Sequence, residues 1–270
     1  MNVTFLERLA ALREKKCSVL CVGLDPDPAK MPSHLLANHS LPDAVRIFCS
    51  QIIEATSPFV VAYKVNFAFF EALGDSGTQI MRSVLASIPP EVLTIADAKR
   101  GDIGNSASFY AKSVFADLRF DSVTASPYMG KDSLLPFLSY PGTCTFALAR
   151  TSNPGGDDFQ LLEVNGEPLY VKVAKSVASW ASSTPGSAGL VVGATDIKSM
   201  ASLRSQLPDV PFLIPGVGSQ GGLASEVMAA SGTGPVLINS SRSILFASSK
   251  VDFAEKASEM AQKTQEEIGK

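Results

Sequence analysis

The sequence predicts an α/β fold, a closed (β/α)8 barrel (TIM barrel) with an N-terminal helix. Short β-branched apolar runs recur along the chain, and each is followed by a longer segment with helical spacing. Eight such pairs fit within 270 residues. The runs are apolar on both faces, as in a parallel sheet covered by helices. No linker or low-complexity segment interrupts the chain, so we expect residues 1–270 to form a single domain.

The elements follow one another in regular alternation. The predicted strands span 18–23, 59–65, 92–97, 121–125, 143–149, 189–193, 211–215 and 235–239. The predicted helices span 42–56, 67–87, 104–117, 130–139, 168–182, 196–206, 221–231 and 252–267. Ahead of them, Phe5, Leu9 and Leu12 share one face of an amphipathic helix. An open doubly wound sheet is the alternative, but no GxGxxG motif follows the first strand.

Composition excludes several classes of protein. Hydrophobic residues make up 46% and charged residues 18% of the chain, which excludes a disordered protein. A net charge of −3 argues against nucleic acid or an anionic membrane as the main partner. No apolar run approaches the ~18 residues of a membrane helix, and charges throughout the N-terminal segment argue against a signal peptide. We therefore expect a cytoplasmic protein.

Cysteine and histidine usage narrows the chemistry. The cysteines, Cys17, Cys21, Cys49 and Cys144, lack metal-knuckle spacing and are interpreted as reduced thiols, mostly in the core. With only two histidines in the chain, a three-histidine zinc site is impossible and a Ser-His-Asp triad is disfavoured. Acids and bases of an enzyme would then be Lys, Asp or Glu.

The most informative segment is DAKRGD at 97–102. Side chains two apart in a strand share a face, so Asp97 and Lys99 should both face the barrel mouth. Lys64 ends the neighbouring strand, and Asp102 lies beyond Gly101, from where it could reach across a subunit interface. Lysine and aspartate are rarely buried unless paired, so alternating charges favour a site in a partly dry pocket. The alternative is a surface salt-bridge network.

Two further loops follow predicted strands. PGVGSQGG at 215–222 follows the seventh strand and Arg242 follows the eighth, the usual location of a phosphate site in such barrels. RTSNPGG at 150–156 carries hydroxyls that could bind a heterocyclic amide, and Asn165-Gly166 predicts a small hairpin over the rim. Asp25, after the first strand, could accept a hydrogen bond from a sugar hydroxyl. Ordinary turns remain the alternative for both loops and for Asp25.

Taken together, these motifs resemble the orotidine 5′-phosphate decarboxylase family. The resemblance rests on GLDPD at 23–27, YKVN at 63–66, DAKRGDI at 97–103, RTSNPGG at 150–156, PGVGSQGG at 215–222 and NSSRSI at 239–244, in family order. It implies a (β/α)8 homodimer whose active sites lie at the subunit interface. It also implies decarboxylation of orotidine 5′-monophosphate to uridine 5′-monophosphate, with no metal and no organic cofactor.

The resemblance also implies roles for individual residues. Lys64, Asp97 and Lys99 of one subunit and Asp102 of its partner would form the catalytic array, with Lys99 donating a proton to C6 of the pyrimidine. The implied substrate-binding residues are Asp25, Asn66, Ile103, Thr151, Ser152, Pro215, Gln220, Ser241 and Arg242. Many relatives have threonine at position 103 and glycine at 241, so a threonine–ribose bond is not carried over.

Three other functions stay open at the level of sequence. A sugar-phosphate decarboxylase or epimerase of the same barrel type would share the phosphate end and commonly need a divalent metal. A Schiff-base aldolase would use Lys64 or Lys99 as the nucleophile. A nucleotide-binding regulator would not require the charged array at the barrel mouth.

Overall fold

The structure is a computed structural model that describes residues 3–217 and 224–269. Its strands are β1 (Leu20–Leu24), β2 (Ala62–Asn66), β3 (Leu93–Arg100), β4 (Ser122–Ala125), β5 (Cys144–Arg150), β6 (Glu163–Val164), β7 (Glu167–Pro168), β8 (Ser187–Val192), β9 (Phe212–Pro215) and β10 (Val236–Ser240). Within the described residues, eight strands close into a barrel in the order β1-β10-β9-β8-β5-β4-β3-β2. The predicted barrel is confirmed, and the open-sheet alternative is wrong.

The helices follow the strands as predicted. They are α1 (Phe5–Lys16), α2 (Ser33–Asn38), α3 (Leu41–Thr56), α4 (Phe67–Glu71), α5 (Gly77–Ala86), α6 (Gly104–Ala111), α7 (Lys131–Leu138), α8 (Asp157–Gln160), α9 (Leu169–Ala181), α10 (Ile197–Gln206), α11 (Ala224–Ser231), α12 (Arg242–Leu245) and α13 (Phe253–Ile268). Short 3-10 turns occur at Gly74–Ser76 and Pro154–Gly156, and a π-helical segment, Lys112–Asp117, continues α6.

One predicted helix is wrong as a continuous element. The segment 67–87 is broken between α4 and α5, where Gly74 adopts a left-handed backbone with φ +63°. The chain then folds back so tightly that a Cβ at Gly77 would lie 2.1 Å from the carbonyl oxygen of Phe70. A side chain at position 77 would prevent this approach, which explains how a helical pattern can conceal a break.

The described residues fall into two compact units. One comprises Met1–Ala11 with Ala98–Ile238, and the other comprises Leu12–Asp97 with Asn239–Lys270. In the first unit, Phe5 is fully buried and its ring meets that of Phe146 edge-on at 5.9 Å. Leu9 of the first unit and Leu12 of the second are also buried, as the amphipathic pattern predicts. A single domain over the whole chain stays a prediction.

Two smaller predictions are also confirmed. β6 and β7 form an antiparallel hairpin whose turn residues, Asn165 and Gly166, have φ +57° and +78°. Cys21, Cys49 and Cys144 are buried free thiols, whereas Cys17 is exposed.

Over residues 3–217 and 224–269, no helix is both long and apolar enough to cross a lipid bilayer.

Candidate active site

A buried ion pair joins two neighbouring strands, β2 and β3, in the second unit. The Lys64 Nζ lies 2.6 Å from Asp97 Oδ2, and the two side chains are 7% and 8% exposed. The parallel register of β2 and β3 pairs Lys64 with Ile95 and Asn66 with Asp97. A lysine chain leaning along its strand therefore reaches the carboxylate of Asp97 on the next strand. The predicted neighbourhood of Lys64 and Asp97 is confirmed.

The electrostatics of Lys64 follow from this burial. Removal from water by itself lowers the pKa of the ammonium, but attraction to Asp97 and then to Asp25 outweighs it, so the pKa lies above its ordinary value. Lys64 is therefore a cation. The thiol of Cys21 lies in the same group, and burial raises its pKa to about 12, so it is neutral at physiological pH.

The carboxylate of Asp25 is held by the hydroxyl of Ser241, a contact that a glycine at position 241 could not make. The hydroxyl of Ser241 donates a hydrogen bond to Asp25 Oδ2 and also lies 3.1 Å from the carbonyl oxygen of Gly23. Among the described residues, the other carboxylate oxygen, Asp25 Oδ1, is buried and has no hydrogen-bond partner. A buried carboxylate oxygen without a partner is costly unless a ligand supplies a donor. This oxygen has the capacity to accept a hydrogen bond from a hydroxyl or an amine.

Lys99 lies in the first unit, near the end of β3, and is exposed. Its backbone has φ +46°, in the left-handed region that non-glycine residues seldom adopt. The amide of Lys99 donates to Thr124 Oγ1 at 3.0 Å, and the amide of Ser126 donates to the carbonyl of Arg100 at 2.8 Å. Hydrogen bonds with Thr124 of β4 and with Ser126, just after β4, therefore hold a strained residue in place, a feature that clusters at functional sites.

Asp102 and Ile103 follow β3 on the surface of the first unit. Asp102 Oδ1 accepts the Ile103 amide at 2.8 Å, and Ile103 is 55% exposed. Asp102 borders a depression of about 410 Å³, which it lines together with Asn105, Ser106, Phe109, Tyr110 and Ser113. The guanidinium of Arg100 lies 5.2 Å from the ring centre of Tyr110. This surface is both charged and apolar.

The loop after β5 is bonded to the segment that follows it. The amide of Thr151 donates to Gln160 Oε1 at 2.9 Å, and Gln160 Nε2 donates to Thr151 Oγ1 at 2.8 Å. The hydroxyl of Thr151 in turn donates to Asn153 Oδ1 at 2.7 Å. Thr151 is thus occupied within its own loop. Ser152 has intermediate exposure and lies against Gly193, where an added Cβ would come 2.8 Å from its amide nitrogen.

The remaining predicted residues take separate positions. Asn66 begins α4, its side-chain oxygen accepting the amide of Ala68 at 3.2 Å. Pro215 ends β9 and its carbonyl accepts the amide of Ala194 at 3.1 Å. Arg242 is exposed at the start of α12. Gln220, with most of the predicted glycine-rich loop, lies outside the described residues.

Comparisons with known proteins decide the family. The orotidine 5′-phosphate decarboxylase / HUMPS family matches residues 18–257. The chain belongs to this family. The orotidine 5′-phosphate decarboxylase of Herpetosiphon aurantiacus is 49% identical over 262 residues, covering 96% of this chain and 95% of the relative.

Solved structures of the orotidine 5′-phosphate decarboxylase family show the same fold. The Leishmania donovani OMP decarboxylase superposes with a TM-score of 0.82 and 35% identity, covering 97% of this chain and 99% of that one. The Leishmania donovani UMP synthase gives a TM-score of 0.86 and 36% identity. There, 99% of this chain matches only 57% of the longer protein.

Sequence reasoning missed several contacts of the predicted site residues. It assigned no role to Gln160 or to the side chain of Arg150, and it named Ser241 only as a substrate-binding residue without specifying a hydroxyl contact. Gln160 precedes the predicted hairpin, and nothing in its spacing points back to Thr151. The serine at 241 was itself the available clue to a hydroxyl contact.

Proposed function

We propose that this chain decarboxylates orotidine 5′-monophosphate to uridine 5′-monophosphate and CO2, a step of pyrimidine biosynthesis. The observation that carries the proposal is the buried Lys64–Asp97 pair, with Lys99 two residues further along β3. Family membership and the names of close relatives support the same reaction. A binding protein would gain little from burying this pair, because desolvating two charges is costly.

The reaction develops a negative charge on the pyrimidine ring that the substrate itself cannot stabilise. Breaking the bond between C6 and the carboxylate releases CO2 and leaves an electron pair in the plane of the ring, where no conventional electron sink exists. We propose that the Lys99 ammonium stabilises this pair and then donates its proton to C6, and that solvent restores the proton to the amine. One preorganised group contributes on the order of 3–4 kcal/mol, so other interactions must contribute as well.

The other charged residues have complementary roles. Asp97 repels the substrate carboxylate and so destabilises the bound substrate relative to the transition state. Lys64 keeps Asp97 ionised and in position through the 2.6 Å contact. Asp102 of the partner subunit keeps Lys99 charged and oriented. Every acid, base and cation in this scheme is a side chain, so the proposed reaction is cofactor-free.

The ribose and the phosphate of the substrate are assigned to residues near the ends of other strands. The unpartnered Asp25 Oδ1 accepts a ribose hydroxyl, and Asn66 lies near the ribose. Arg242 and Gln220 hold the phosphate, the guanidinium through its planar fork of donors. Pro215 and Ser241 complete this part of the site. Phosphate binding drives loop closure, so remote contacts contribute to reactivity.

The pyrimidine contact is assigned to Ser152. The amide and hydroxyl of Thr151 are both bonded within the loop, which leaves Thr151 little capacity to bind a base. Ser152 is the adjacent hydroxyl-bearing residue, and it is only partly exposed. We therefore propose that Thr151 supports the loop and that Ser152 bonds the base.

We further propose that the protein is a cytoplasmic homodimer with shared active sites. Ile103, next to Asp102 in the chain, is 55% exposed, and Phe109, which lines the same depression as Asp102, is 63% exposed. Large apolar side chains grouped on a surface are typical of a protein interface. A second copy covering this surface would receive Asp102 and Ile103 into its site. The free thiols are consistent with a reducing compartment.

One assay tests the reaction. Purified protein treated with a chelator is mixed with orotidine 5′-monophosphate, and the loss of its ultraviolet absorbance is followed. We expect turnover that the chelator does not reduce. Turnover that requires added divalent metal would favour a sugar-phosphate decarboxylase or epimerase. Covalent trapping by borohydride with a carbonyl substrate would favour a Schiff-base enzyme. Intact substrate with tight nucleotide binding would indicate a regulator.

A further inference from the structure

A buried guanidinium connects three segments of the first unit. Arg150 Nε donates to Asp196 Oδ2 at 3.0 Å, and an Arg150 terminal nitrogen donates to Asp157 Oδ1 at 2.7 Å. The other terminal nitrogen lies 3.4 Å from Gln160 Oε1. The Arg150 side chain is only 9% exposed, and its pKa lies above the ordinary value because these bonds outweigh the effect of burial. It therefore stays charged.

The backbone geometry explains where this side chain points. β5 pairs with β8 through Leu148 opposite Val191 and Arg150 opposite Val192, so Ala149 is an extra residue in the ladder. A bulge of this kind re-aims the side chain that follows it. Asp196 is fixed independently, because it caps α10 by accepting the Ser199 amide at 3.1 Å.

Gln160 transmits this anchoring to the loop after β5. Its side-chain oxygen accepts the Thr151 amide and its nitrogen donates to the Thr151 hydroxyl. Gln160 is the last residue of α8, whose first residue is Asp157, so both ends of this short helix are bonded to the root of the loop. The loop conformation therefore depends on α8 remaining in place.

We propose that Gln160 and Arg150 are positioning residues that fix the loop carrying Ser152 and so govern recognition of the pyrimidine. The inference rests on the proposed function, since it takes Ser152 as the base contact. Neither residue touches substrate in this scheme. With α8 displaced, Thr151 would lose its partners and Ser152 would no longer be presented in one orientation.

Two ligands distinguish a role in positioning the loop that carries Ser152 from a general disruption of the binding site. Uridine 5′-monophosphate carries base, ribose and phosphate, whereas ribose 5-phosphate lacks the base. Gln160→Ala should weaken binding of uridine 5′-monophosphate roughly tenfold, the effect of losing about one net hydrogen-bond interaction. Binding of ribose 5-phosphate should change by less than about twofold. Titration calorimetry measures both. A purely structural role would weaken both ligands together.

Three further variants provide a control and two independent tests of the positioning role. Phe159→Ala removes an exposed neighbour in the same helix and should leave both affinities unchanged. Thr151→Val removes the hydroxyl with little change of shape, and its effect should be non-additive with that of Gln160→Ala if Gln160 acts through Thr151. Arg150→Lys keeps the charge but loses the planar fork, and it should again weaken only the ligand with a base.

The outcomes are distinct from those of the decarboxylation assay. If native protein decarboxylates its substrate and Gln160→Ala binds uridine 5′-monophosphate normally, the positioning role is wrong. Equal weakening of both ligands would also overturn it. If native protein neither decarboxylates orotidine 5′-monophosphate nor binds uridine 5′-monophosphate, the proposed function fails and this inference fails with it.

Discussion

The ammonium of Lys64 and the carboxylate of Asp97 lie 2.6 Å apart with almost no access to solvent. Such a pair contributes little net stability compared with apolar residues, because desolvation consumes most of the attraction. Its burial between β2 and β3 is consistent with the catalytic role proposed for it. The same physics makes the pair sensitive to loss of either member.

Lys64→Met should therefore destabilise the protein by about 3–5 kcal/mol, because it leaves Asp97 as an uncompensated buried charge. Asp97→Asn should also destabilise the protein, because it leaves Lys64 as an uncompensated buried charge. The double variant Lys64→Met/Asp97→Leu should be less destabilised than the sum of the two losses. Urea denaturation measures all three.

The exposed pair Lys30–Asp27, at 3.3 Å, is the matched control. Lys30→Met should cost less than about 1 kcal/mol, because water screens a surface pair. Equal costs at the two positions would contradict the view that burial is what makes the first pair sensitive.

Lys99→Ala should abolish product formation while uridine 5′-monophosphate still binds. The reason is that the proposed proton donor is lost, whereas the groups assigned to base, ribose and phosphate remain. Single-turnover assays and calorimetry measure the two properties. Lys263→Ala, an exposed lysine of α13, is the control and should keep native turnover. Residual turnover above a small fraction of native in Lys99→Ala would refute the proton-donor role.

The barrel was predictable because alternation of apolar strands and helices is a local property of the sequence. The Lys64–Asp97 contact was predictable too, since strand order and side-chain periodicity determine it. The anchoring of Thr151 was not, because it depends on a bulge at Ala149 that re-aims Arg150. The break at Gly74 was missed because a close backbone approach leaves no trace in hydrophobic periodicity.

Mixing two inactive variants tests the proposed shared site. Lys99→Ala and Asp102→Ala remove groups assigned to different subunits of one site. A mixed dimer then has one site with both lesions and one with neither, so random exchange should restore about a quarter of native activity. Mass spectrometry confirms subunit exchange. Proven exchange without recovery would show that each site is built from a single chain.

Stability at low pH should depend on Asp196. Burial alone raises the pKa of this carboxyl, but hydrogen bonds from Ser199 and Arg150 outweigh it, and the pKa lies below its ordinary value. A carboxyl with a lowered folded-state pKa stabilises the protein above its unfolded-state pKa of about 3.9, and this contribution is lost as pH falls through the folded value.

Asp196→Asn should flatten this dependence, because an amide can still accept the Ser199 amide but has no proton to lose. Urea denaturation from about pH 6 to pH 3 measures the change. Asp158→Asn removes an exposed carboxylate of the neighbouring α8 and should preserve the native pH dependence. Identical curves for native protein and Asp196→Asn would assign the acid sensitivity to other groups.

Gly193→Ala tests how closely the loop must approach β8. A Cβ at Gly193 would lie 2.8 Å from the Ser152 amide nitrogen and 2.9 Å from its Cα, distances that force the backbone apart. The amide of Gly193 also bonds the Arg150 carbonyl at 2.7 Å, so the displacement would reach the root of the loop. Affinity for uridine 5′-monophosphate should fall, while affinity for ribose 5-phosphate should persist. Gly155→Ala, where the nearest atom lies at 3.4 Å, should bind both ligands normally. Native affinity for uridine 5′-monophosphate in Gly193→Ala would mean that Ser152 does not need this position to bind the base.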